Sequence, residues 1–295
     1  MLIDTHSHLN FIAFNEDRNE IIKKCLENDI LIINIGTNFE TSKKAVEIAE
    51  KYPKGIYATI GLHPINLDTG LVKMKVDEQE GQHFEKEFNY QEYRKLAQNP
   101  KVVAIGEIGL DYYWKPKTTK KKELFKEKQK ELLLKELELA KELNLPVIFH
   151  CRMAHDDLIK TLNTNYLILN TNLKGVMHGF VGTTEQLQEY LKMGFYIGFN
   201  GIIFKKVIEL RSSSVLRSAR PIEGINFEEN IKNTPLDRML IETDCPYLIP
   251  PAFPENRNNP LGVKFVVQRI AEIKNISFDK VTEITTENAK KLFNL

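Results

Sequence analysis

Six histidine and carboxylate residues are spaced along the chain where they could bind metal ions or transfer protons. They are His6, His8, Glu107, His150, His178 and Asp244. His6 and His8 are two residues apart, and an extended strand places side chains with this spacing on the same side. Imidazole and carboxylate groups bind divalent cations, and a carboxylate can bridge two of them. These residue types therefore predict a site for two divalent metal ions, with Mg²⁺, Mn²⁺ and Zn²⁺ as candidates.

Short apolar segments precede or contain these residues. The eight segments are 1–6, 30–36, 56–61, 102–107, 146–150, 175–178, 195–200 and 239–244. β-branched runs of this length without strict alternation are typical of strands buried on both faces of a parallel sheet. Helical periodicity lies between most of them, as in the long charged segment that ends before Pro146. The alternation predicts a (β/α)8 TIM barrel, with a doubly wound open sheet as the alternative.

A barrel of this kind would bring the candidate metal ligands together. The carboxyl ends of its strands converge on one face, where the active sites of this fold lie. Glu107 ends the fourth predicted strand, His150 the fifth, His178 the sixth and Asp244 the eighth. So many ligand groups on one face favour bound cations, although any one residue could instead be a buried, hydrogen-bonded residue at a strand end.

Length, charge and cysteine content limit the class of protein. The 295 residues fit a single domain, with two polar stretches, 68–87 and 211–233, predicted as insertions. The net charge of +1 argues against nucleic-acid binding by bulk charge but allows a local basic patch. Three separated cysteines favour a reducing compartment, so we expect the cytoplasm, or else the nucleus. Because no apolar run approaches the roughly 20 residues of a transmembrane helix, we expect no membrane association.

Several short motifs occur in an order that resembles the TatD family of DNases. They are Asp4-Thr5-His6-Ser7-His8, Gly61-Leu62-His63-Pro64, Gly106-Glu107-Ile108-Gly109-Leu110-Asp111-Tyr112, His150-Cys151-Arg152, His178-Gly179-Phe180-Val181-Gly182 and Glu242-Thr243-Asp244-Cys245-Pro246-Tyr247-Leu248. The match runs from Met1 to about Pro260, and the helical end fits as well. The resemblance implies a TIM barrel of the amidohydrolase kind and a metal-dependent deoxyribonuclease, which we expect to be a 3′–5′ exonuclease.

The resemblance also implies a role for individual residues. The implied ligands of the first metal are His6, His8, Glu107 and Asp244. The implied ligands of the second are Glu107, His150 and His178, so that Glu107 bridges. We expect Glu107 and Asp244 to be catalytic, with Asp244 taking the proton of the attacking water. The implied substrate-facing residues are His63, Asp111, Arg152 and Arg257.

The chain departs from the family pattern in a few places. Asn259 replaces an acidic residue in the segment Arg257-Asn258-Asn259-Pro260, which leaves the partner of that position open. Gly179 stands where a cysteine is common. The two insertions could reshape the substrate cleft. The segment 195–201 is more similar to eukaryotic members than to short bacterial ones.

The segment after the fourth strand contains aromatic and basic residues. Tyr112, Tyr113 and Trp114 could stack on a nucleobase or pack the loop. The lysines that follow are Lys115, Lys117, Lys120, Lys121 and Lys122. They could contact a phosphate backbone, but a solvated helix start is the favoured interpretation.

Two other functions remain open at this stage. One is a metal-dependent amide or ester hydrolase for a small molecule, although related barrels often bridge their metals with a modified lysine where this chain has Glu107. The other is a metal-binding scaffold without catalysis. For the favoured nuclease we expect a monomer with DNA as substrate and no obligate protein partner.

Overall fold

Eight parallel strands follow one another in chain order in the computed structural model, which describes residues 1–73, 77–81, 83–169, 173–205 and 225–295. The strands are β1 (Leu2–Ser7), β2 (Ile30–Ile35), β3 (Ile56–Ile60), β4 (Val102–Asp111), β5 (Val147–Arg152), β6 (Gly175–Met177), β7 (Tyr196–Phe199) and β8 (Met239–Ile241). Each strand pairs in parallel with the next. The predicted TIM barrel is confirmed, and the alternative, an open doubly wound sheet with a reversal of strand order, is wrong.

The first and last strands meet where the barrel closes. Ser7 forms a parallel bridge with Cys245, just after β8, and the backbone N–H of His8 donates to the Cys245 carbonyl at 3.0 Å. Asp4 accepts hydrogen bonds from the Thr243 backbone N–H at 2.9 Å and from its hydroxyl at 2.6 Å. Burial raises the pKa of Asp4 to about 8. These contacts join the two ends of the sheet at the mouth of the barrel.

Helices lie between the strands in the sequence, as the periodicity predicts. They are α1 (Arg18–Glu27), α2 (Phe39–Glu50), α3 (Tyr90–Leu96), α4 (Thr119–Leu143), α5 (His155–Leu169), α6 (Thr184–Lys192), α7 (Phe227–Asn233), α8 (Val263–Lys274) and α9 (Phe278–Phe293). The hydroxyl of Thr118 accepts the Lys121 N–H at the start of α4. Asn144 ends that helix in the left-handed conformation, two residues before Pro146.

Apolar side chains from strands and helices form the core. Leu132, Leu133 and Leu137 are buried on α4, in agreement with the predicted apolar stripe. The last helix, α9, buries Leu292 and Phe293 in a cluster with residues of the strands. None of the helices in the described ranges is long and apolar enough to cross a membrane.

The two predicted insertions differ in how far they are described. In 68–87 the described residues form neither helix nor strand, and an isolated bridge joins Leu67 to Glu85. Most of the second stretch, through residue 224, lies outside the described residues. Its remaining part contains helix α7.

Candidate metal centre

The structure brings the six predicted ligands together at the carboxyl ends of the strands. His6 lies in β1, Glu107 in β4 and His150 in β5. His8 and His178 each follow a strand directly, and Asp244 is three residues beyond β8. Their side chains are mostly buried, and that of Asp244 is the most exposed, with 18% of its surface accessible to solvent.

Glu107 occupies the middle of this cluster. Its Oε2 lies 3.3 Å from His6 Nε2, and its Oε1 lies 2.8 Å from His150 Nδ1. The same Oε1 is 3.4 Å from His63 Nε2 and 3.8 Å from His178 Nε2. Burial alone would raise the pKa of this carboxyl, but the surrounding histidines hold it well below its usual value. Glu107 is therefore an ionised carboxylate whose two oxygens face different imidazoles, which suits a bridging ligand.

Asp244 faces the other side of the cluster. Its Oδ1 lies 3.4 Å from His8 Nε2 and 3.8 Å from His6 Nε2. The residue adopts a left-handed conformation with a φ of 56°, and its backbone N–H donates to the His6 carbonyl at 2.8 Å. Such a φ is uncommon outside glycine, although aspartate tolerates it better than most residues. The turn after β8 thus aims the carboxylate at His6 and His8.

Among the residues that the structure describes, three groups of three residues each bring potential ligand atoms within 4.8 Å of one another. The sets are His6, Glu107 and His178; His6, His8 and Asp244; and His63, Glu107 and His150. His6 is shared by the first two and Glu107 by the first and third. His63, which the resemblance implies as a substrate-facing residue, therefore lies with its Nε2 among the ligand atoms.

His6 supplies a test of whether these residues fit a cation. The residue is fully buried, and neither of its ring nitrogens forms a hydrogen bond with any residue that the structure describes. Its ring stacks on that of His178 with centroids 3.5 Å apart. A buried polar atom left unsatisfied costs about 1–3 kcal/mol, and a divalent cation would give the Nε2 lone pair a partner. The donor set of imidazoles and carboxylates fits such ions.

Two acidic residues lie behind the histidines of the cluster. Glu242 Oε1 lies 2.8 Å from Nδ1 of His178 and accepts the Gly179 N–H at 2.6 Å. Asp111 Oδ2 lies 3.0 Å from Nε2 of His150. Each contact orients a ring so that its other nitrogen faces Glu107, as carboxylates behind metal-bound histidines commonly do. Glu242 was not predicted as a functional residue from the sequence, although its position two residues before Asp244 at a strand end was a usable signal.

Two of the predicted substrate-facing residues, both arginines, form ion pairs and hydrogen bonds with other residues of the chain. Arg152 donates from Nε to Asp111 Oδ2 at 2.7 Å, and its guanidinium lies 4.3 Å from the centre of the Tyr113 ring. Arg257 pairs with Asp17 and donates to a backbone carbonyl. Both arginines nonetheless line the same cavity as the metal centre.

This cavity has a volume of about 970 Å³ and opens over the cluster. Among its lining residues are Glu107, Asp244, Tyr113, Trp114 and Tyr247. Part of the first predicted insertion also lines it, since Asp77 accepts the Tyr247 hydroxyl at 2.8 Å. The space is at the upper end of the range of about 300–1,000 Å³ for small-molecule sites, so it can hold one or a few units of a larger substrate.

Glu80, in the same insertion, is a buried acidic residue that the sequence analysis did not single out. It accepts hydrogen bonds from the Asn66 amide at 2.8 Å and from the Thr37 hydroxyl. Burial raises its pKa. These contacts attach the insertion to the rim of the barrel.

Asn259, where the family pattern has an acid, has local partners. Its side-chain oxygen accepts the Leu261 N–H at 3.0 Å, and its amide donates to Glu255 at 2.7 Å. The residue is buried and caps the short helical turn that precedes α8. In this structure the position therefore has a structural role in a turn.

Comparisons with known proteins agree with the geometry. The family described as TatD related DNase matches residues 3–294. The chain is 36% identical over 297 residues to the uncharacterized metal-dependent hydrolase YabD of Bacillus subtilis, with both proteins covered completely. It is 30% identical over 305 residues to the 3′-5′ ssDNA/RNA exonuclease TatD of Erwinia tasmaniensis, again with complete coverage of both.

The fold comparison leads to the same family. The crystal structure of the TatD homologue YjjV from Escherichia coli superposes with a TM-score of 0.75 at 28% identity, and covers 100% of this chain and 98% of that one. Membership of one family explains both the match over the whole chain and the cluster of histidines and carboxylates. The chain belongs to the TatD family of metal-dependent hydrolases.

Proposed function

We propose that this protein is a 3′–5′ exonuclease that hydrolyses DNA phosphodiester bonds with two divalent metal ions. The observation that carries the proposal is the central position of Glu107, whose two oxygens face different histidines within one cavity. Two groups of neighbouring ligand atoms share this carboxylate, namely His6, Glu107 and His178, and His63, Glu107 and His150. Two-metal hydrolases use such a shared ligand to keep their ions about 4 Å apart.

The ligands divide into two sets around Glu107. One ion would be held by His6, His8, Glu107 and Asp244. The other would be held by Glu107, His150 and His178, and His63 is close enough to complete or replace a member of this set. Bound metal would supply a water of lowered pKa and positive charge for the phosphate oxygens.

Asp244 is proposed to accept the proton of the attacking water. Burial would raise the pKa of its carboxyl, but His178, His8 and His6 lower it, so the group is ionised near neutral pH. Its greater exposure within the cluster leaves it accessible from the cavity. An ionised, hydrogen-bonding carboxylate at the edge of the site fits a general base.

The substrate-binding groups are proposed to lie around the cavity. Arg152 is held by Asp111 through Nε and Nη2, which fixes the guanidinium plane beside His150. A guanidinium oriented in advance can donate to a phosphate at little cost in side-chain entropy. Arg257 lines the same cavity, with its guanidinium 4.1 Å from the centre of the Phe14 ring.

DNA is proposed as the substrate, with RNA as the related alternative. The resemblance to DNases and the printed name of the Erwinia relative, an ssDNA/RNA exonuclease, support a nucleic acid. The mixed imidazole and carboxylate donors favour Zn²⁺ or Mn²⁺ over Mg²⁺, which prefers oxygen ligands.

The proposal is tested with single-stranded DNA, the same sequence as duplex, and RNA, each labelled at the 5′ end. The chelator-treated protein is assayed alone and with Mg²⁺, Mn²⁺ or Zn²⁺, beside Glu107→Gln as the matched inactive variant. We expect metal-dependent shortening of single-stranded DNA from the 3′ end and none with the variant. Hydrolysis of small amides or esters without any cleavage of nucleic acid would support the alternative hydrolase and overturn the proposal.

A further inference from the structure

The three aromatic residues after β4 separate into two groups in the structure. Tyr112 is 7% exposed, belongs to the main hydrophobic core and donates its hydroxyl to Asp157 at 2.9 Å. Tyr113 and Trp114 are half-buried and line the cavity above the metal centre. Neither of them belongs to the core clusters found among the described residues. Tyr112 therefore packs the loop, while its two neighbours contribute aromatic surface to the cleft.

The two cleft residues form a fixed pair. Their ring centroids are 4.9 Å apart, with an interplanar angle of 88°. The guanidinium of Arg152 lies over the Tyr113 ring, and the Tyr113 N–H donates to Asp111 Oδ1 at 2.8 Å. Tyr113 is thus held on both its backbone and its ring, and Trp114 packs against a residue that cannot easily move.

A short series of contacts connects this pair to the metal centre. Asp111 holds the Tyr113 backbone with one oxygen and lies 3.0 Å from His150 with the other. His150 in turn lies 2.8 Å from Glu107. The aromatic pair is therefore connected to the candidate metal centre through residues in direct contact.

We propose that Trp114, supported by Tyr113, binds an unpaired nucleobase of the strand being cleaved. This inference rests on the proposed nuclease function and deepens it, because it assigns a subsite for one base of the substrate strand. An indole presents a large apolar face at low entropic cost, and every nucleobase has a π-face on which it can stack. A base paired in a duplex has its faces covered by its neighbours and could reach Trp114 only after unstacking, which costs a few kcal/mol.

The charge of the loop agrees with this occupant. Lys115 and Lys117 lie one and three residues after Trp114 and are exposed. An aromatic platform followed by lysines combines base stacking with attraction for the backbone, which is how single-stranded nucleic acids are bound without sequence preference. The subsite should accordingly accept any of the bases.

The chain offers a direct signal, because Trp114 is its only tryptophan. The chelator-treated protein is titrated with oligothymidylate and with an abasic oligomer of equal length, while tryptophan fluorescence is recorded. We expect oligothymidylate to change the fluorescence saturably and the abasic oligomer to leave it within a few per cent of its starting value. Equal changes with both oligomers, or no change while binding is detected by another method, would overturn the inference.

Kinetics provide a second, independent measurement. Trp114→Ala is expected to raise KM for single-stranded DNA about 5- to 100-fold with little change in kcat, since stacking is worth that much per base. Trp114→Phe should recover most of the loss, and Leu124→Ala, at an exposed position on α4, should have no effect.

In a further series of substrates, a single abasic nucleotide is moved one position at a time from the 3′ end. At one position it should raise the KM of the wild type to that of Trp114→Ala and leave the variant unchanged.

The outcomes separate this inference from the function on which it rests. If Trp114→Ala and the abasic nucleotide raise KM independently at every position, the base subsite is overturned while the nuclease activity stands. Absence of nuclease activity, with base-dependent fluorescence retained, would overturn the proposed function and support the subsite for nucleic-acid binding alone.

Discussion

Glu242 lies 2.8 Å from His178, at the nitrogen that faces away from Glu107. The negative charge of Glu242, with those of Glu107 and Asp244, outweighs burial and raises the pKa of His178 to about 10. Glu242 is itself almost completely buried. The contact therefore fixes both the orientation of the ring and the basicity of the nitrogen that faces the candidate metal centre.

Glu242→Gln is expected to weaken metal binding by about 10- to 100-fold, the usual cost of losing a carboxylate behind a metal-bound histidine. Metal affinity is measured by calorimetric titration of the chelator-treated protein, and folding by circular dichroism. Glu228→Gln, at a surface ion pair with Arg269, is the matched control. Unchanged metal affinity in a folded Glu242→Gln protein would show that His178 does not need this partner.

Asp244→Asn is expected to leave the fold intact and to lower kcat strongly. The amide keeps the shape of the side chain but removes a proposed negative ligand and the proposed proton acceptor, and loss of a general base costs about 10²- to 10⁴-fold. The measurement is kcat at saturating metal and substrate, so that weaker binding is not mistaken for slower chemistry. Turnover within a few-fold of the wild type would mean that another group activates the water.

Glu136 is expected to make the protein less stable as the pH rises. It is fully buried on α4, where one oxygen accepts the Leu62 N–H and the other has no hydrogen-bond partner among the described residues. Burial raises its pKa well above the usual value, so the folded state holds a proton that the unfolded state loses above its own, lower pKa. The stability that Glu136 contributes is therefore fully present below the pKa that it has in the unfolded state. This contribution is lost as the pH rises toward its pKa in the folded state.

Glu136→Gln tests this pH dependence. The variant keeps an acceptor for Leu62 but cannot ionise, so its stability relative to the wild type should increase from pH 5 to pH 8. Urea unfolding at both pH values gives the comparison, with the exposed Glu138→Gln of the same helix as the control. A difference that is constant with pH would rule out proton uptake by Glu136 as the cause.

The lysines at the start of α4 are expected to contribute to binding of longer strands. Lys120 and Lys121 are exposed and Lys122 is half-buried. Replacing all three by glutamine should weaken binding of single-stranded DNA equally for all sequences and lower the salt slope by about 2, since each phosphate contact contributes about 0.7. A dinucleotide should still be cleaved at the normal rate.

A control triple variant with exposed lysines elsewhere, at Lys23, Lys24 and Lys54, should leave the salt slope unchanged. If the α4 variant behaves like this control, its lysines form a solvated helix start without contact to DNA, the interpretation that the sequence alone favours.

Local sequence was enough to predict that the strands exist, but it predicted their ends less well. The apolar run at 102–107 predicts β4, but the strand continues to Asp111. Gly109 lies in this extension with a φ of 146°, and a Cβ there would lie 2.0 Å from the carbonyl oxygen of His150. The glycine allows a close approach between β4 and β5, which no pattern within β4 alone could indicate.

The clustering of the candidate ligands was predictable, because their residue types recur at strand ends and a barrel brings those ends together. Their partners were harder to predict. Arg257 pairs with Asp17, 240 residues away, and Glu242 acts on His178 from another strand. Such pairs depend on the register of strands across the barrel and on loops between them, which the sequence does not display locally.

The contacts that join β1 to β8, here called the seam, determine when during synthesis the candidate metal centre can form. Asp4 and Thr243, which close it, are separated by 239 residues. The candidate ligands lie on both sides of this seam, with His6 and His8 at its start and Asp244 at its end. A nascent chain therefore carries only part of the candidate ligand set until Asp244 has been made. We expect hydrolytic capacity to arise only after the final strand has joined the first and completed the set.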